Sequence, residues 1–134
     1  MAPILFADAI SNNQSIKVFN YGDMQRDFTY IDDIVEGVKK VIEKPTVNKG
    51  FYKIYNIGAS KTIKLLDFIE EIEKNIGEKA KKEMLPMQPG DVQQTWANID
   101  DFKKEYNYEP SVHIKEGVYF FIKWFKEVYL NLVK

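Results

Sequence analysis

Cysteine is absent from the 134 residues. That excludes disulfide scaffolds, thiolate nucleophiles and cysteine-ligated metals, and allows an intracellular setting. Histidine and arginine occur once each, as His113 and Arg26. Without clustered histidines or regularly spaced carboxylates, a dedicated metal site is not expected. No excess of one charge exists either: nineteen basic residues face twenty acidic ones, for a formal net charge of -1. Such balance argues against an electrostatic grip on nucleic acid or on an anionic membrane. No apolar run approaches the roughly 20 residues needed to span a bilayer. The N-terminus shows no basic region followed by an apolar core, so no secretory signal is visible. The seven glycines form neither G-x-G-x-x-G nor a Walker pattern. A composition of 45% hydrophobic and 29% charged residues is that of an ordinary globular chain. The expectation is a soluble, cytoplasmic protein with one core.

Hydrophobic spacing then sets out the elements. Met1 to Asn13 reads as a helix, with Pro3 suited to its first turn. Ile16 to Phe19 alternates as a short strand, Asn20 to Asp23 is a turn, and Arg26 to Thr29 is a second short strand. Ile31, Ile34, Val35, Val38, Val41 and Ile42 form one helical stripe, stopped by Pro45. Phe51 to Ile57, aromatic and β-branched on both sides, predicts a buried strand closing at Gly58. Leu65, Phe68, Ile69, Ile72 and Ile76 mark a helix that Gly77 ends. Lys79 to Glu83 reads as an exposed charged stretch and Met84 to Asp91 as irregular. Thr95 to Ala97 is a candidate brief strand. Asp100 to Tyr106 is a short helix left through Asn107, and a long helix runs from Ile114 to Leu132. The class is mixed α/β.

Little of this carries chemistry by itself. His113, beside the start of the last helix, reads as a surface residue rather than a general base. Asp32-Asp33 and Asp100-Asp101 are adjacent pairs, which point about 100° apart on a helix. They suit helix starts, where the dipole favours negative charge. Tyr119 and Lys123 match Y-x-x-x-K, but the abundance of Tyr and Lys gives about one such pair by chance. No cofactor loop precedes them. Arg26 stands out, because eighteen of the nineteen basic residues are Lys. Its fork suits bidentate binding of a phosphate, and a surface pair with Asp27 or Asp33 is the alternative.

The stretch IKVFNYGDMQRDFTYIDDI (residues 16–34) contains Arg-Asp-Phe-x-x-Ile-x-Asp. Tyr55-Asn56-Ile57-Gly58 follows it. Gly90-Asp91 with Asn98-Ile99-Asp100, and Tyr106 to Pro110 with Glu116-Gly117, complete an ordered set. Together they resemble the C-terminal part of NAD-dependent nucleotide-sugar epimerases and dehydratases, the extended short-chain dehydrogenase/reductase family. The segments 20–33 and 85–92 are most similar to those of UDP-glucuronate 4-epimerases. The resemblance implies a Rossmann-type α/β fold, of which this chain would be the substrate-binding lobe plus a late strand and helix. The glycine-rich NAD loop and the catalytic Tyr-x-x-x-Lys of the family have no counterpart here.

The resemblance further implies roles for particular residues. Arg26 would bind the nucleotide's phosphates. Lys17, Val18 and Phe19 would lie beside the uracil, Lys17 through its backbone and Phe19 through its ring. Phe28 would be near the nucleotide, Asn56 near the phosphates, and Asp91 would accept bonds from ribose hydroxyls. Core packing or strand-end hydrogen bonding is the alternative for Phe19, Phe28 and Asn56. Gln88 replaces an arginine common in 4-epimerases, and a neutral amide cannot neutralise phosphate. The implied partner is a UDP-sugar. The implied cofactor, NAD, belongs to the intact enzyme, with none expected for this stretch alone, which would be inactive. A UDP- or dTDP-sugar dehydratase or decarboxylase, and a non-catalytic interaction module, are the other readings. The helix 31–43 and the strand 51–57 would lack partners, so an exposed apolar patch or a homodimer is expected.

Overall fold

The computed structural model describes residues 2–45, 50 and 52–133. Helix α1 (Ala2–Ser11) buries Phe6, Ala7 and Ile10 and leads into strand β1 (Ser15–Val18), whose Ile16 and Val18 point inward. A turn at Phe19–Gly22 connects β1 to the two-residue strand β2 (Gln25–Arg26). Then follow α2 (Ile31–Glu43), β3 (Ile63–Lys64), α3 (Leu65–Ile76) and β4 (Lys81–Met84). Helix α4 (Asp100–Tyr106) and the C-terminal helix α5 (Ile114–Trp124) complete the order, α5 running on through a π-helical turn at Phe125–Tyr129 to Leu130–Leu132. Strands β1 and β4 pair in parallel, Ser15 opposite Lys81 and Val18 opposite Met84. Strands β2 and β3 pair antiparallel, Arg26 opposite Ile63.

Two cores result. The larger joins α1, β1, α3 and α5 through Phe6, Ile10, Val18, Phe68, Ile72 and Ile122, all nearly inaccessible. Each such side chain contributes about 1.5–3 kcal/mol on burial. The smaller collects Ile99, Phe102, Tyr106 and Tyr108 against Tyr55, Ile57 and Ala97. Helix α3 stops where its spacing predicts, because Gly77 adopts φ 96°, a left-handed exit open to glycine at no steric cost.

Three sequence expectations need correction. The stretch 52–57 forms no strand: Tyr55 and Ile57 pack on the smaller core, but Tyr52 and Ile54 are 82% and 74% exposed. Phe51 lies outside the described residues. A strand needs a neighbour to accept its hydrogen bonds, and the described residues supply none here. The stretch expected to be charged and exposed is exposed along Lys81–Met84, where it also forms β4 paired to β1. Of the strand expected at 26–29 only Arg26 is in a ladder, and at 95–97 there is none. Residues 93–95 nonetheless run beside β2: Gln25 N donates to Gln93 O at 2.9 Å and Asp27 N to Thr95 O at 3.1 Å.

The apolar stripe of α2 does not enter either core. Ile31, Val35, Val38, Val41 and Ile42 are exposed, while Asp33 and Gly37 form the buried side. Gly37 permits a close approach there, since a Cβ would sit 3.1 Å from Ile57 and 3.3 Å from Phe102, tight enough that those side chains would have to shift. Asp33, read from sequence as a helix-start residue, is 4% exposed. Its carboxylate accepts bonds from Ser111 N (2.9 Å), Ser111 Oγ (3.2 Å) and Val112 N (3.2 Å), fixing the approach to α5.

Asp27 joins the two halves. Its carboxylate accepts from Ala59 N (3.0 Å), Ser60 N (3.0 Å), Ala97 N (3.1 Å) and Thr29 Oγ1 (3.1 Å). Gly58 lets this junction close, for a Cβ there would lie 2.7 Å from that of Ala97. Replacing Asp27 by Ala strands the main-chain donors of Ser60 and Ala97 and leaves Ala59 N only Thr29 Oγ1 (3.0 Å), so a loss of about 2–3 kcal/mol is expected in urea unfolding. Amide exchange at Ala59, Ser60 and Ala97 should accelerate more than at Ile69 or Ile72, and uniform change would contradict the junction.

Glu73 is the other buried carboxylate, at 4% exposure. Burial alone would raise its pKa, but bonds from Lys82, from Lys79 (2.9 Å) and from Ala80 N (3.1 Å) outweigh that and hold it at about 2. A depressed folded-state value means the stabilisation is complete above the ordinary 4.5 and is lost as pH falls from there towards about 2. Glu73→Gln should flatten stability over that window in acid titrations followed by circular dichroism. A variant as acid-sensitive as the native chain would refute the assignment.

Candidate functional site

The site is built where the end of β1, the β2 strand and the loop 88–95 converge. The turn after β1 is unusual, because Asn20 and Tyr21 both hold left-handed backbone (φ 49° and 51°). Asn20 Nδ2 stabilises it by donating to Asp23 O at 2.7 Å, and Tyr21 N donates to Leu85 O at 3.0 Å. The chain then delivers Arg26 beside the 88–93 loop. Its Nη1 donates to Gln25 O at 2.8 Å and to Gln93 O at 3.0 Å, and its Nη2 pairs with Asp91 Oδ1 at 2.9 Å. Gln93 is itself tied down, its Nε2 donating to Asp23 Oδ2 at 2.7 Å. Arg26 and Asp91 side chains keep 25% and 33% of their surface. The ion pair expected with Asp27 or Asp33 is therefore made with Asp91, 65 residues away.

A guanidinium carries five N–H donors. Three are used within the chain, so Nε–H and one Nη2–H have no acceptor among the described residues. Asp91 is likewise half engaged. Its Oδ1 takes Arg26 and Val92 N (2.9 Å), and its Oδ2 has no partner among the described residues. The turn carrying Asp91 is closed by Asp91 N donating to Gln88 O at 3.2 Å, which leaves the Gln88 side chain exposed.

The other candidate residues divide. Lys17 is exposed on β1, in register with Glu83. Val18 is fully buried in the larger core, so only its main chain can face a ligand. Its carbonyl already accepts from Leu85 N. Phe19 is half-buried at the start of the turn. Phe28 stacks on Phe68, ring centroids 4.0 Å apart and 11° from parallel, against the larger core. It lines an apolar cavity of about 500 Å³ with Ile4, Tyr30, His113, Phe121 and Trp124. Arg26, Asp91 and Phe19 are not in that cavity. Asn56 donates to Asn98 O at 3.2 Å, a bond between two irregular segments. Tyr119 and Lys123 lie exposed on α5. Among the described residues no cluster of three His, Asp or Glu side chains is placed to hold a metal, and no helix is long and apolar enough to cross a membrane.

Sequence reasoning missed Asp23, Asp27 and Gln93. Only Asp27 had a signal, its place beside Arg26; the others are ordinary polar residues whose roles depend on partners some 70 positions away.

Comparison with known proteins places the chain among relatives of one family. The family model for GDP-mannose 4,6 dehydratase matches residues 4–120. Protein CapI of Staphylococcus aureus is 41% identical over 96% of this chain and 43% of its own length. The UDP-glucuronate 4-epimerase of Thermodesulfobacterium geofontis is 41% identical over 95% of this chain and 38% of its own. A solved UDP-glucuronic acid 4-epimerase mutant of Bacillus cereus, in complex with a UDP-4-deoxy-4-fluoro-glucuronic acid and NAD, is 31% identical with a TM-score of 0.83. It covers 96% of this chain and 40% of that one. The chain thus spans about two fifths of the proteins it matches. With a family match over residues 4–120 and relatives 41% identical across nearly all of it, the chain belongs to the nucleotide-sugar epimerases and dehydratases of the extended short-chain dehydrogenase/reductase family.

Proposed function

We propose that this chain is the UDP-sugar-recognition part of an NAD-dependent 4-epimerase, of the kind that acts on UDP-glucuronate, and that it is inactive alone. The observation that carries the reading is Arg26: a single arginine, held on one side by two carbonyls and a carboxylate, with two donors left. Those donors suit two oxygens of a diphosphate, and the restraint lowers the entropy lost on binding. In this reading the Lys17 main chain offers hydrogen bonds to the base edge and Phe19 an apolar face. The exposed Gln88 supplies no charge, so neutralising the diphosphate falls chiefly to Arg26. The relatives named for UDP-glucuronate 4-epimerisation support the uronate over other sugars.

The residues described do not fit a dinucleotide. Helices α2, α3, α4 and α5 begin after Tyr30, Lys64, Ile99 and His113. None of these follows a glycine-rich loop of the kind that cradles a pyrophosphate. No redox step is therefore assigned to this chain, and NAD with its hydride chemistry belongs, in this reading, to a separate dinucleotide-binding part. The outward apolar stripe of α2, with Tyr52 and Ile54, is the surface on which that part would pack.

Calorimetric titration with UDP tests the reading. Arg26→Ala should weaken binding about tenfold or more, the scale of a charge-assisted bond. Arg26→Lys should recover only part, because an ammonium cannot reproduce the fork. Equal affinity in the native chain and in Arg26→Ala would reject the phosphate role.

A further inference from the structure

Resting on that reading, we infer that Asp23 and Gln93 are positioning residues. Their side chains join the turn after β1 to the loop that holds Arg26, and so fix the direction of its two remaining donors. Two acceptors of the guanidinium, Asp91 Oδ1 and Gln93 O, come from that one loop. Val92, Gln93 and Gln94 are exposed, so packing does not hold it. Hydrogen bonds do. Gln93 O also accepts from Gln25 N at 2.9 Å, which fastens the loop to β2. Gln93 Nε2, donating to Asp23 Oδ2 at 2.7 Å, adds a second tether at the same residue. That tether keeps the arm ending in Asp91 from swinging away from Nη2.

Asp23 can anchor the loop because its own main chain is fixed. Its N–H donates to Asn20 O at 2.8 Å, and its carbonyl accepts from Asn20 Nδ2 at 2.7 Å. Asn20 and Tyr21, at φ 49° and 51°, hold a conformation that non-glycine residues keep only where neighbours enforce it. Leu85 O does so here by accepting from Tyr21 N at 3.0 Å. The chain leaves this turn with the Asp23 carboxylate facing a residue 70 positions later. As a charge, Asp23 opposes an incoming anion. Its use to the site is as an acceptor, and substitution separates the two roles: Asn keeps an acceptor oxygen for Gln93 and drops the charge.

Calorimetric titration with UDP tests this. Gln93→Ala, which leaves the main-chain carbonyl in place, and Asp23→Ala should each weaken UDP about three- to tenfold. Asp23→Asn should bind as tightly as the native chain or about twofold more tightly. In an Arg26→Ala background, Gln93→Ala should have no further effect, because its contribution passes through the guanidinium. Without ligand, the Arg26 Nε–H resonance should move in Gln93→Ala and Asp23→Ala and stay in place in Asp23→Asn. Unchanged UDP affinity in Gln93→Ala, or an equal loss with and without Arg26, would overturn the inference. So would tighter binding in Asp23→Ala, which would make Asp23 a charge and nothing more. Equal UDP affinity in the native chain and Arg26→Ala would instead strike the underlying reading, so the two failures are distinguishable.

Discussion

The two-residue strand β2 ends on Arg26, Asp27 follows it directly, and these two adjacent charges reach in different directions, a division on which the local structure depends. Asp27 takes the main-chain donors of Ala59, Ser60 and Ala97. Arg26 takes the carbonyls of Gln25 and Gln93 and the carboxylate of Asp91. Successive residues of extended backbone face opposite sides, so Arg26 at the end of the ladder and Asp27 just beyond it serve different partners. Without Asp27 the loop 93–97, which supplies the Gln93 carbonyl to the guanidinium, would lose its anchor at Ala97 N. The guanidinium is thereby held by fixed partners although its side chain keeps 25% of its surface.

Helices with strong spacing were legible in the sequence, and so were their stops. The residues for α2, α3 and α4 and the exits at Gly77 and Asn107 follow from local preference. What was not legible was pairing. Strand β4 is a lysine-rich stretch with no apolar alternation, and it is a strand because β1 lies beside it. Conversely, Tyr52 to Ile57 has the composition of a buried strand and no neighbour to pair with among the described residues. Composition reports which face a segment prefers; it does not report whether a partner is present.

The same limit applied to the site. Arg26 was conspicuous as the single arginine, and Asp91 entered through the resemblance. Their contact spans 65 positions, and nothing in local pattern marked it. Asp33 shows the opposite failure: its place in a first turn gave it a sufficient local reason, while its buried role in holding Ser111 and Val112 is tertiary. Phe28, two residues beyond Arg26, is partly buried and stacks on Phe68 against the larger core. The apolar stripe of α2 fits the same pattern, with spacing readable from sequence and its outward orientation set by a buried Asp33 and Gly37 on the other side.

Because the chain holds one arginine, its Nε–H gives a single resonance in a nitrogen–proton correlation spectrum. That signal belongs to a donor with no acceptor among the described residues, which makes it a direct probe of ligand contact. Titrating UDP should move the Arg26 Nε–H resonance along a saturable curve, with the same midpoint as calorimetry. A resonance that stays fixed while UDP binds elsewhere would contradict the central claim that this guanidinium receives the diphosphate.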